Sequence, residues 1–187
     1  LAPLDRQLRA GLARLTGGLS PAALWLAWAD WAMHLAIQPG KQAQLWSKAW
    51  RKALRLQSYL LHCAATPDGE TPPCIEPLPQ DRRFAGAAWG RWPYNVWSQA
   101  FLLTQQWAHV ATTGVRGVSA ENERQVEFMT RQALDMVAPT NFPWANHEVI
   151  EATRAEGGMN LVRGAQYLME DLQRDAEGLP PPGTQAF

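Results

Sequence analysis

The sequence predicts an all-α fold: about seven helices in an irregular bundle, two helical segments joined by a proline-rich linker. Three observations carry that reading. Apolar residues recur mainly at three- and four-residue spacing, and period-two alternation is scarce. Most apolar stretches are bracketed by helix start and stop signals, with Ser, Asn or Pro before them and Gly or Pro after. Of the 187 residues, 47% are apolar and 18% charged, which suits a packed core and excludes a disordered chain.

The first helix is expected at about Leu4 to Leu15, where Leu4, Leu8, Leu12 and Leu15 share a stripe that Gly17-Gly18 ends. Ser20 then caps a second helix, with Pro21 at its first position, running to Ile37. This helix is apolar nearly all round. Trp25, Trp28 and Trp31 follow at three-residue spacing, and Asp30 with His34 forms the one polar strip. Such a helix is either buried or faces a non-aqueous surface, and three indoles offer roughly 600 Å² between them.

A third helix, about Lys41 to Ala65, has the clearest two-sided pattern. Leu45, Trp46, Ala49, Trp50, Ala53, Leu56, Leu60 and Leu61 fall within one half-turn, and Lys41, Lys48, Arg51, Lys52 and Arg55 lie opposite. The basic side is expected either to be solvated or to meet an anionic partner. Thr66 to Gln80 follows with five prolines, which resist helix interiors, and is the expected linker.

Beyond it, Pro93 opens a fourth helix to about Thr113. Ser119 caps a fifth, which Pro139 forces to stop by Ala138. The run from Ala138 to Asn146 is expected to be a rigid aromatic elbow: Pro139 and Pro143 fix φ, and Asn141, Phe142 and Trp144 lie among them. Asn146 caps a sixth helix with Glu148 in its first turn, and Gly157-Gly158 ends it. A seventh, about Asn160 to Ala176, is stopped by Gly178 and Pro180. The expected organisation is therefore a Trp-rich basic region over 1–65, the linker over 66–80, a second helical domain over 81–178, and a tail over 179–187.

Net charge is zero, yet residues 1–65 carry eight Lys/Arg against two Asp/Glu and residues 66–187 carry nine against fifteen. The two parts are expected to attract each other, or the first to meet another partner. Nothing global favours nucleic acid. Pro21 to Ile37 is too short and too polar for a membrane span, and Arg6, Arg9 and Arg14 interrupt any signal-peptide run. A cytoplasmic setting is expected. Two cysteines without a CxxC pair exclude a disulfide scaffold, and four histidines on separate elements complete no metal site. There is no nucleophile elbow, P-loop or dinucleotide fingerprint, so no catalytic residue and no cofactor is expected. The start at Leu1 and the Pro-rich close predict a portion of a larger protein.

One stretch carries a family likeness. Ile75-Glu76-Pro77-Leu78-Pro79-Gln80-Asp81-Arg82-Arg83-Phe84-Ala85-Gly86 with Trp89, then Gln99-Ala100-Phe101-Leu102-Leu103, Pro139-Thr140-Asn141-Phe142 with Asn146 and Glu148, Glu156-Gly157-Gly158, Leu161-Val162-Arg163-Gly164 and Glu170-Asp171-Leu172 resemble the N-terminal domain of poly(3-hydroxyalkanoate) polymerases. His34 to Ile37 and Pro39 to Gln42 resemble a subset of them. Thr140, Ala145 and His147 depart from the usual serine, threonine and proline.

The resemblance implies the non-catalytic N-terminal portion of a polyester synthase. The Cys-His-Asp triad of such an enzyme, which takes (R)-3-hydroxyacyl-CoA, belongs to a following α/β-hydrolase-like domain. Neither Cys63 nor Cys74 matches its motif, so this chain is expected to be inactive alone. Implied partners are the catalytic domain of the same polypeptide, a second copy in a homodimer, and the polyester granule surface or its proteins. The other reading is a stand-alone helical interaction module. On either, Trp25, Trp28, Trp31, Trp46 and Trp50 are the expected contact residues, while Trp89, Trp92, Trp97, Trp107 and Trp144 are expected in the core.

Overall fold

The computed structural model describes residues 20–66 and 71–180, together with Gly11 and Pro182. The helix expected at Leu4 to Leu15 and most of the tail lie outside the described residues. Those described form six α-helices and two short 3-10 turns, with no strand among them: α1 Pro21–Ala36, α2 Pro39–Ala65, α3 Tyr94–Thr112, α4 Ala120–Met136, α5 His147–Ala155 and α6 Met159–Ala176, with 3-10 turns at Ala87–Gly90 and Pro139–Asn141. The fold is all-α.

Start signals act where the chain offers them. Pro21 and Pro39 open α1 and α2, because a ring without an amide hydrogen costs nothing in a first turn. Ser20 has extended backbone but no side-chain cap bond. Ser119 does cap α4, its Oγ accepting from the Asn122 amide at 3.2 Å. Pro93 stands just before α3 rather than inside it.

The chain forms two compact units, Leu1–Pro139 and Thr140–Phe187. The proline-rich stretch over 66–80 falls within the first of these units. α2 ends at Ala65, and it packs on α3 from the other side of that stretch. In the first unit α1 packs on α4, and α2 packs on α3. The core is built around α3, whose Phe101, Leu102, Leu103, Ala108 and Ala111 are buried with Val126 of α4, Leu45 and Tyr59 of α2, and Ala27 of α1. Some contacts between the basic and acidic parts run from charged side chains to neutral groups. Lys41 Nζ donates to the Thr113 carbonyl at 2.7 Å, and Asp30 Oδ2 accepts from Asn122 Nδ2 at 2.6 Å and from the Ser119 amide at 3.3 Å. The polar strip of α1 is thus a tether to the start of α4.

In the second unit, Asn146 orders the turn before α5. Its Nδ2 donates to the Thr140 carbonyl at 2.8 Å, and its Oδ1 accepts from the Glu148 amide at 3.0 Å. Gly157 and Gly158, at φ +57° and +89°, turn the chain into α6, and the Gly158 amide closes α5 on the Thr153 carbonyl. On α6, Leu161, Val162, Ala165, Leu168, Met169 and Leu172 fall within about 120°. None of its residues is buried.

Candidate functional site

The expected contact tryptophans separate into two groups. Trp28 and Trp31 are half-buried and meet edge to face at 5.3 Å, and Trp31 Nε1 donates to the Ala111 carbonyl at 3.0 Å. These two rings hold α1 against the rest of the first unit. Trp25, Trp46 and Trp50 stand out from it, 73%, 77% and 67% exposed. Leu26, Met33 and Leu61 on the same two helices, and Ile37 just after α1, are exposed as well. An outward aromatic and aliphatic surface on α1 and α2 is the most unusual feature of this unit, because large exposed apolar areas generally mark contact sites.

In the region expected to pack its tryptophans, only Trp89 is buried. It meets Phe84 edge to face at 5.0 Å. Trp107 is half-buried, with Nε1 donating to the Leu45 carbonyl at 3.1 Å. Trp92, Trp97 and Trp144 are exposed, which corrects their expected place in the core. Trp92 precedes α3 and Trp97 lies on the side of α3 away from its buried stripe. Trp144 stacks, tilted, on Phe142 with centroids 4.9 Å apart, so the elbow's aromatics cover each other rather than a core. Pro139 is buried, while Asn141 and Pro143 are exposed.

The basic residues of α2 do form one face. Lys48, Arg51, Lys52 and Arg55 line a cleft of about 340 Å³ together with Gln106 and Val110 of α3. Lys52 Nζ donates to Gln106 Oε1. Burial, then its neighbours Arg55, Lys48 and Arg51, lower the Lys52 ammonium from its ordinary value. Lys41 sits two turns before that cluster and is also lowered, by burial first and Lys48 next, with Glu123 opposing.

The family-like segment contains a clamp that residue patterns do not show. Arg83 forks Asp81 through Nε and Nη2 at 2.8 and 2.7 Å, and its Nη1 reaches Asp135 at 2.6 Å. Its guanidinium lies 5.1 Å from the Phe101 ring centroid. The arginine's hydrogen bonds hold the Asp81 carboxyl below its ordinary range, against the opposing effect of burial. A charge on a loop gave no hint of a partner 52 residues away.

Chemistry is sparse. Both cysteines are free. Asn95 Nδ2 lies 3.4 Å from Cys63 Sγ, and burial pushes the Cys74 thiol up, away from the reactive thiolate. Among the described residues no group of His, Cys, Asp or Glu is placed to hold a metal ion, and no helix is long and apolar enough to cross a membrane.

The family model described as Poly-beta-hydroxybutyrate polymerase (PhaC) N-terminus matches residues 80–186, and a second, Poly-beta-hydroxybutyrate polymerase N terminal, matches residues 1–41. The chain is 34% identical over 141 residues to a poly(3-hydroxyalkanoate) polymerase of Methylorubrum extorquens, covering 70% of this chain and 23% of the relative. It is 34% identical over 95 residues to the poly(3-hydroxyalkanoate) polymerase subunit PhaC of Cupriavidus necator, and 33% identical over 93 residues to that of Rhizobium meliloti. These matches cover 50% and 49% of this chain, and 16% and 15% of the relatives. The chain thus spans less than a quarter of the length of these curated relatives. No solved structure matches it. Two family models, the one over residues 80–186 covering more than half of the chain, make this chain a member of the poly-beta-hydroxybutyrate polymerase N-terminus family.

Proposed function

We propose that this chain is the non-catalytic N-terminal part of a polyhydroxyalkanoate synthase and that it holds the enzyme on the surface of its water-insoluble polyester in the cytoplasm. One observation carries the reading: Trp25, Trp46 and Trp50 stand exposed on α1 and α2. At roughly 200 Å² per indole they present about 400 Å² of ring surface. At about 25 cal/mol per Å² its removal from water is worth on the order of 10 kcal/mol before ordering costs, enough to hold a folded domain on an apolar solid. The polymerisation chemistry, an acyl transfer from (R)-3-hydroxyacyl-CoA, belongs in this reading to the rest of the polypeptide.

The test is co-sedimentation with polyhydroxybutyrate granules. Changing Trp25, Trp46 and Trp50 together to Ala leaves the inward Trp28 and Trp31 in place, so the fold should survive. The expected result is loss of most of the pelleted fraction. Undiminished pelleting of the folded triple variant would overturn the granule role.

Self-association belongs to the same proposal, and the open stripe of α6 supports it. Two copies packed antiparallel about the midpoint of 166 and 167 set Leu161 against Leu172 and Ala165 against Leu168.

A further inference from the structure

Two clefts lie side by side along the seam of α2 and α3. The larger, about 620 Å³, is almost entirely apolar. Ala49 and Ala53 of α2 and Ala100 of α3 line it with small side chains, and Trp46 and Trp107 add their rings. The smaller is the basic cleft of Lys48, Arg51, Lys52 and Arg55. Lys52 lines both. On α2 it stands where the basic stripe meets the apolar one, so the two clefts form a single surface that changes character at one side chain.

The four cations recur at positions i, i+3, i+4 and i+7 of one helix face. Like charges at that spacing repel and weaken the helix. Among the described residues no carboxylate lines either cleft to relieve them. A carboxylate ligand brings one negative charge. A phosphate monoester brings nearly two, with several oxygens that match the fork of an arginine. The apolar volume lies within the usual range for ligand clefts, about 300–1,000 Å³.

We propose that the seam of α2 and α3 binds a single free amphiphile, its hydrocarbon chain lying in the apolar cleft beside Ala49, Ala53 and Trp107 and its phosphate head held by Lys48, Arg51, Lys52 and Arg55. This lies beyond the granule reading. A polyester is uncharged and would leave the four cations as they are, whereas an anionic head neutralises them.

The experiment is calorimetric titration of the chain with dodecyl phosphate below its micelle concentration. Decanol serves as a tail without the charge, inorganic pyrophosphate as a charge without the tail, and phosphatidic acid vesicles as the same monoester chemistry in a membrane. Saturable one-to-one binding of dodecyl phosphate is expected, with decanol and pyrophosphate each at least about tenfold weaker, the effect of losing one charge-assisted contact. Changing Lys48, Arg51 and Arg55 to Gln spares the bond between Lys52 and Gln106. It should weaken dodecyl phosphate by more than about tenfold and leave decanol unchanged. Filling the apolar cleft with Ala53→Leu, at an exposed position, should weaken dodecyl phosphate and leave pyrophosphate unchanged. The proposal is overturned by equal binding of decanol and dodecyl phosphate, by pyrophosphate matching dodecyl phosphate, by indifference to the charge variant, or by binding to vesicles alone.

Discussion

Arg83 Nη1 lies 2.6 Å from Asp135 Oδ1, joining the loop before α3 to the last turn of α4 across 52 residues of sequence. The same guanidinium forks Asp81, so one side chain fixes two carboxylates. Arg83→Lys keeps the charge and loses the fork. Because the pairs are partly open to solvent, the cost is expected to be about 1–2 kcal/mol, read from the urea midpoint. Arg83→Met should cost little more. If Lys proves neutral while Met destabilises, charge alone is at work and the geometric account fails.

Acid should loosen the first unit. The Arg83 hydrogen bonds depress Asp81, and Asn122 followed by Ser119 depresses Asp30. A carboxyl whose folded pKa lies below its unfolded value contributes stability above the unfolded value of about 4, and that contribution disappears as pH falls through the folded value. Urea midpoints should hold from neutrality to about pH 5 and decline below pH 4. The decline should be shallower in the double variant Asp30→Asn/Asp81→Asn. An equally steep decline there would place the acid sensitivity elsewhere.

Gly117 is held at φ +92°, and an added Cβ would stand 2.4 Å from Cδ2 of the His34 ring on α1. Gly117→Ala is expected to destabilise by about 2–4 kcal/mol from strain and clash together. Adding His34→Ala removes the clash but not the strain, so the double variant should recover part of the loss. Strict additivity of the two changes would mean that the contact does not form.

Trp31→Phe should cost about 1–2 kcal/mol, because it orphans the Ala111 carbonyl, while Trp25→Phe should be within about 0.5 kcal/mol of neutral. Equal effects would contradict the inward and outward assignment of these rings.

Leu168→Glu places a charge in the middle of the α6 stripe. If two copies pair there, sedimentation should show the parent chain self-associating with rising concentration and the variant remaining monomeric. A monomeric parent chain would remove self-association from the proposed role.

Helix existence was readable from periodicity and punctuation. Every helix expected within the described residues is present, and ends marked by Pro21, Asn146 and Gly157-Gly158 fall close to the expected places. These signals act over one or two turns. What the sequence could not reveal is pairing over distance. The spacing of Trp25, Trp28 and Trp31 put them on one helix, but which of them found a carbonyl on α3 depended on how α1 settled against α4. Asp30 read as part of a leftover polar strip because its partners, Asn122 and the Ser119 amide, are about ninety residues away. The basic face of α2 was visible as a stripe. The apolar cleft beside it was not, since its other wall belongs to α3.

The first compact unit ends at Pro139, whereas the longer family match runs from 80 to 186. A recurring stretch of sequence and a self-supporting piece of structure are therefore different objects in this chain. Residues 80–139 are wrapped by α1 and α2, which offer the carbonyl that Trp107 uses and the indole that caps Ala111. An excision at residue 80 would strip α3 of that cover and leave a soluble-looking fragment prone to clump. A graft between relatives should keep its seams outside residues 20–139, or inherited halves will meet mismatched neighbours.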